Sequence, residues 1–125
     1  MVLFLAALFS FNCLAQNGAD AILGKWLKTP NEDLIIEVYR SGDLFSGKIT
    51  WSKNDDKRKP VGFIILEKLQ YNSTSKVWEN GKIRDPNSKR TYDATLKILP
   101  DSTLEVDAYM GLKIFGKRKY FKRTS

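Results

Sequence analysis

The chain has 125 residues and a net charge of +7, with hydrophobic residues at 42 %, which suits one domain with a core of its own. It contains no histidine and a single cysteine, Cys13. Histidine general bases, Ser–His and Cys–His nucleophiles and His/Cys zinc sites are therefore excluded.

The first fifteen residues, MVLFLAALFSFNCLA, carry no charge, and Val2–Leu8 is an unbroken apolar run too short to span a bilayer. Ala15 and the small Cys13 two residues before it fit the small-x-small site at which a secretory leader is cut, although no Lys or Arg precedes the run. The division expected is a signal peptide at 1–15 and one domain at 16–125, periplasmic or secreted in a bacterium. Lipidation of Cys13 fits less well, because Asn12 and Ser10 are poor neighbours for a lipidated cysteine. The domain left after cleavage has no cysteine, so its core must hold it without disulfides.

Strand patterns then follow one another. A first short strand is expected at 24–28. Residues 33–40 put Leu34, Ile36 and Val38 on one face, and residues 44–52 put Phe45, Gly47, Ile49 and Trp51 together, with Ser41-Gly42-Asp43 as a tight link. Residues 62–71 read as a strand buried on both faces at its start. In residues 76–84, Asn80-Gly81 is either a two-residue turn or a bulge. Residues 91–98 set Tyr92, Ala94, Leu96 and Ile98 against Asp93, Thr95 and Lys97. After a turn at Pro100-Asp101-Ser102, residues 103–109 set Leu104, Val106 and Ala108 against Glu105 and Asp107. A last strand is expected at 114–123, with Gly116 at a bend. About eight antiparallel strands with short links and no helical period predict an all-β, up-and-down barrel, with a two-sheet sandwich as the alternative.

The basic end of the chain, Lys113 to Arg123, reads as a solvated outer face or a patch for an anionic envelope surface or protein partner. Nucleic acid is not expected as a partner of an exported protein. Asp55-Asp56 lies among Lys53, Lys57, Arg58 and Lys59, which makes a poor cation site, so no metal or cofactor is expected. Glu67, Glu79, Asp85 and Asp93 qualify as glycosidase acids only by being acids. Asp85-Pro86-Asn87-Ser88 is a turn signal, with Asp85 capping the backbone.

An ordered set of landmarks runs through this pattern. It comprises Gly24-Lys25-Trp26, Gly47-Lys48-Ile49-Thr50-Trp51, Gly62 before Ile64-Ile65-Leu66, and Trp78, Gly81, Ile83, Asp85-Pro86 and Tyr92. It continues through Leu104, Tyr109, Gly111, Gly116 and Arg123. In this set, from Ile22 to Arg123, the chain resembles the bacterial exported family called domain of unknown function 2147. That resemblance implies a lipocalin-like, calycin-type barrel and no particular reaction. The chain departs from the pattern in its shorter Ser52–Val61 loop, in Ser88 and Ala108 where glycine is usual, and in Phe121 where tryptophan is usual. Gly24, Trp26 and Arg123 look like the calycin closure, in which the guanidinium packs on the indole at one end of the barrel.

The expected interior residues, and the candidates to face a ligand, are Phe45, Ile49, Trp51, Tyr92, Leu96, Leu104 and Val106. A barrel of this size is either filled by such side chains or holds one small ligand. The expected function is non-catalytic binding of a small apolar or amphipathic molecule. The alternative is a filled barrel acting through its basic outer face.

Overall fold

The computed structural model describes residues 18–111 and 116–124. The predicted leader at 1–15, its cleavage site and Cys13 lie outside the described residues, as do Ile114 and Phe115 of the last predicted strand and Lys113 at the start of the basic run.

Eight strands form one closed antiparallel barrel in which every strand pairs with its sequence neighbours, and β1 also pairs with β8. They are β1 (Gly24–Thr29), β2 (Leu34–Ser41), β3 (Leu44–Ser52) and β4 (Ile64–Asn72). The others are β5 (Val77–Arg84), β6 (Thr91–Ile98), β7 (Leu104–Tyr109) and β8 (Lys117–Thr124). The all-β, up-and-down expectation therefore holds, and the sandwich does not. Closure leaves no free sheet edge, which is how a short chain with exposed polar strands avoids edge-to-edge association.

Period-two patterning turns Trp26, Ile36, Val38, Phe45, Ile49, Leu66, Leu69, Trp78, Ala94, Leu96, Leu104, Val106 and Phe121 into the interior, where they form one core. The patterning breaks at two places, and both breaks relocate side chains. Ile36 lies opposite Ile49, but Ile35 lies opposite Trp51, so Thr50 is an extra residue in β3. Such a bulge inverts the alternation beyond it. Ser52 is accordingly buried, while Trp51 is 42 % exposed on the outer wall.

The second break lies in β4 and β5. The β3–β4 pairing shifts register on both sides of Gly47, and Lys68 adopts φ +61° between the inward Leu66 and Leu69. The predicted burial of both faces at the start of β4 is corrected here, because Ile64 is half exposed. Asn80-Gly81 is the bulge and not the turn, with a register shift between Trp78 and Gly81 and Asn80 at φ +60°. Gly81 is required by packing: a Cβ there would overlap the Leu69 side chain and lie 3.0 Å from the Glu67 carbonyl oxygen.

Candidate functional site

The two ends of the barrel are built differently. At one end lie the N-terminus of β1, the C-terminus of β8 and the β2–β3, β4–β5 and β6–β7 links. Residues 18–23 lie across this end, and side chains from four strands hold them there. The Trp26 indole Nε1 donates to the Ile22 carbonyl at 3.0 Å, and the Trp78 Nε1 donates to that of Ala19 at 3.0 Å. Arg123 donates through Nη1 to Leu23 at 2.8 Å and through Nη2 to Ala21 at 2.6 Å, while its guanidinium carbon sits 4.1 Å from the Trp26 ring centroid. Arg40 Nε donates to Asp20 Oδ1 at 2.8 Å. Gly24 adopts φ +121°, and a Cβ on it would lie 3.0 Å from Arg123 Nη1. Indole, guanidinium and N-terminal segment together seal this end.

The sealed half is packed solid. Phe45, Ile49, Leu96, Leu104 and Val106, five of the seven predicted ligand-facing residues, lie here in the core and are fully buried. Trp51 is a correction. The Thr50 bulge puts it outside the barrel in a shallow depression with Lys25, Leu27, Glu32 and Ile35. Tyr92 alone of the seven lines the open end of the barrel.

That space is a cavity of about 630 Å³ at the other end of the barrel. Its floor and walls are Leu34, Ile65, Ile83, Tyr92, Ala108, Met110 and Phe121, and its rim carries Lys28, Arg58, Lys59, Arg84, Lys117 and Lys119 beside one acid, Asp85. The walls come from strand ends. The rim comes from the β3–β4 and β5–β6 loops, from Arg84 at the end of β5, and from the last inward position of β1 and the first two of β8. The barrel is thus half filled, in place of either uniform alternative.

The rim cations are unequally matched. Lys59 Nζ lies 2.5 Å from Asp33 Oδ2, and Arg58 pairs with Asp56 at 3.1 Å. The Lys59 contact, above all, holds the Asp33 carboxyl below the usual carboxylate range. Lys28, Arg84, Lys117 and Lys119 have no ion-pair partner among the described residues. Asp85 accepts the backbone N–H of Asn87 at 2.8 Å, which is the main reason its carboxyl is held low. It caps its turn as the sequence suggests. Burial first, then the charge of Lys28, pushes the Lys119 ammonium below the ordinary lysine value.

Reading the basic C-terminal run as an outer face is corrected in part. On β8 the inward side chain Phe121 fixes the phase, and Lys117, Lys119 and Arg123 share it, while Arg118 and Lys122 alternate outward. Lys28 shares the phase of Trp26 on β1. The signal that finds these lysines is in the sequence: counting back in twos from Phe121, or forward from Trp26, reaches them.

The predicted acids do not converge. Asp93 pairs with Lys82 at 2.5 Å, Glu79 accepts from Asn72 at 3.1 Å, and Asp85 alone of the four lines the cavity. Among the described residues no three His, Cys, Asp or Glu side chains cluster as metal ligands, and no helix is long and apolar enough to cross a membrane.

A search of solved structures finds protein HP1028 from the human pathogen Helicobacter pylori, which belongs to the lipocalin family. The match has a TM-score of 0.68 at 16 % identity and covers 83 % of each chain, which makes the fold lipocalin-like. No curated protein matches the chain. Residues 24–123 match the family described as uncharacterized protein conserved in bacteria, DUF2147. The matched span takes in all eight strands bar Thr124, with the open cup and with Trp26, Trp78 and Arg123 of the sealed end, and on it the chain belongs to the DUF2147 family.

Proposed function

We propose that this protein is an exported, non-catalytic binding protein that holds one small apolar or amphipathic molecule in the open half of its barrel. The observation that carries the reading is the apolar-floored cavity of about 630 Å³, which falls in the usual range of small-molecule sites, roughly 300–1,000 Å³. The sealed end supports it, because a packed core and a tied-down N-terminal segment make a rigid cup that needs no ordering on binding. Absence of catalysis is supported by the residues at the cup. Asp85 is the one acid there among the described residues, and backbone N–H groups already engage it. Export is supported by the Val2–Leu8 apolar run and the small residues before Gln16.

Titration with a neutral fluorescent naphthylamine probe tests the binding reading. The wild-type protein should enhance and blue-shift the probe's emission, and Ala108→Phe, which fills the cavity from its wall, should abolish the response while leaving thermal unfolding unchanged. An equal response from both proteins would place the probe elsewhere and end the proposal. N-terminal sequencing of the protein from a bacterial envelope fraction should begin at Gln16; a retained Met1 would overturn export.

A further inference from the structure

Inward positions of a small barrel are ordinarily apolar, because a charge facing a dry interior loses its hydration. Here adjacent strands β1 and β8 place Lys28, Lys117 and Lys119 in the inward phase around one cavity, at its open mouth, where Lys117 and Lys119 keep contact with solvent. None of the three has an ion-pair partner among the described residues. Asp85 across the rim is a single charge, and the N–H groups of Asn87 and Ser88 already draw on it. Below Lys117 and Lys119 along β8, and level with Lys28 on β1, Phe121 turns into the barrel, and Ile83 and Tyr92, paired across β5 and β6, line the same cavity. From Lys117 to Phe121 is four residues of strand, which at the usual rise and barrel tilt gives a depth of about 10 Å. The cup is positive at its rim and apolar at its base.

We propose that the cup selects an anionic amphiphile, with an acyl or alkyl chain on Ile83, Tyr92 and Phe121 and a carboxylate or phosphate head held by Lys28, Lys117 and Lys119. This rests on the cavity being a binding site at all. The head supplies negative charge where, among the described residues, Asp85 alone faces several unpaired cations, and the chain lies against the apolar lining of the cavity. Partial burial and then the neighbouring charge of Lys28 lower the proton affinity of Lys119, and Asp85 offsets this only in part, which agrees with a cationic site that an added anion would stabilise.

Displacement of the neutral probe by decanoate, decyl phosphate, decanol, decyltrimethylammonium and inorganic phosphate, each at low and high salt, tests the selection. Decanoate or decyl phosphate should displace the probe about tenfold more tightly than decanol, as charge-assisted contacts imply, and high salt should narrow the gap. The better of the two identifies the head. Lys119→Met should weaken the anions about tenfold and leave decanol unchanged. Lys119→Gln, which keeps a polar side chain without the charge, should do the same if Lys119→Met folds poorly. Equal affinity for decanol and decanoate would overturn the selection while leaving the binding reading intact. Inorganic phosphate competing as well as decyl phosphate would make this a site for a free anion and overturn the amphiphile. Failure of every ligand and of the probe would defeat both proposals.

Discussion

Arg123 is held by three groups at once, two carbonyl oxygens and one indole face, and no other residue type fills all three roles. Lysine cannot fork to Ala21 and Leu23 together, and an apolar side chain leaves both carbonyls unpaired at the seal. Arg123→Ala should therefore destabilise the protein by about 2 kcal/mol, from hydrogen bonds to a charged group and a cation–π contact at an exposed site. The melting temperature should fall by several degrees, Arg123→Lys should lie between, and probe affinity should not change. A loss of binding at unchanged stability would assign Arg123 to the ligand and not to the seal. At Gly81 the backbone conformation is ordinary and the constraint is space. Gly81→Ala pushes a methyl group into Leu69, which is fully buried and cannot swing away, so a loss of about 1–3 kcal/mol is expected in urea unfolding. The double variant Gly81→Ala, Leu69→Ala should be more stable than the sum of its single changes predicts, because the clash is gone.

At the scale of the strand, the sequence was legible wherever alternation ran unbroken. The turn residues mark the links, and β2, β6 and β7 carry the inward faces that Leu34, Tyr92 and Leu104 announce. It was not legible past Thr50, because a bulge has no reliable residue signature and one extra residue reverses every side chain after it. The same inference that placed Phe45 and Ile49 correctly therefore misplaced Trp51. The lysines of β8 were hidden for a different reason. Their charge rightly suggested solvent but also the outer wall, whereas their phase relative to Phe121 turns them to the mouth of the cavity. The Trp51 placement is directly testable. Trp26 and Trp78 are buried in the core, so Trp51 should be the one tryptophan that aqueous iodide quenches. Trp51→Phe should remove the quenchable fraction of emission and shift stability by less than about 1 kcal/mol, as for an exposed site. Quenching that survives Trp51→Phe would mean that one of the core indoles is reached by solvent.

For the molecule as a whole, the half-filled barrel separates stability from binding. The sealed half carries the core, and the open half carries charges that the fold does not neutralise. Their linkage to pH has opposite consequences at the two ends of the scale. Asp33 is held low chiefly by its hydrogen bond from Lys59, and Asp85 chiefly by the N–H of Asn87, against an ordinary value of 3.8. A carboxyl whose folded-state pKa is depressed contributes stability above its unfolded value and loses it as pH falls through the folded one. Acid unfolding should therefore set in below about pH 4, and Asp33→Asn should flatten that part of the profile. Lys119 works the other way. Its folded-state pKa lies below 10.5 because of burial and Lys28, so the unfolded chain binds more protons as that value is approached. Its contribution to stability must rise as pH climbs from the folded pKa to the unfolded one. Lys119→Met removes this penalty. Urea unfolding across pH 7 to 10.5 should show the variant more stable than wild type at pH 7, with the difference shrinking on the alkaline side. A bound anionic amphiphile should narrow the same difference at pH 7 by stabilising the wild type more than the variant, which binds it about tenfold more weakly. A variant less stable than wild type throughout would show that Lys119 is part of the packing, not a charge the fold leaves waiting for its ligand.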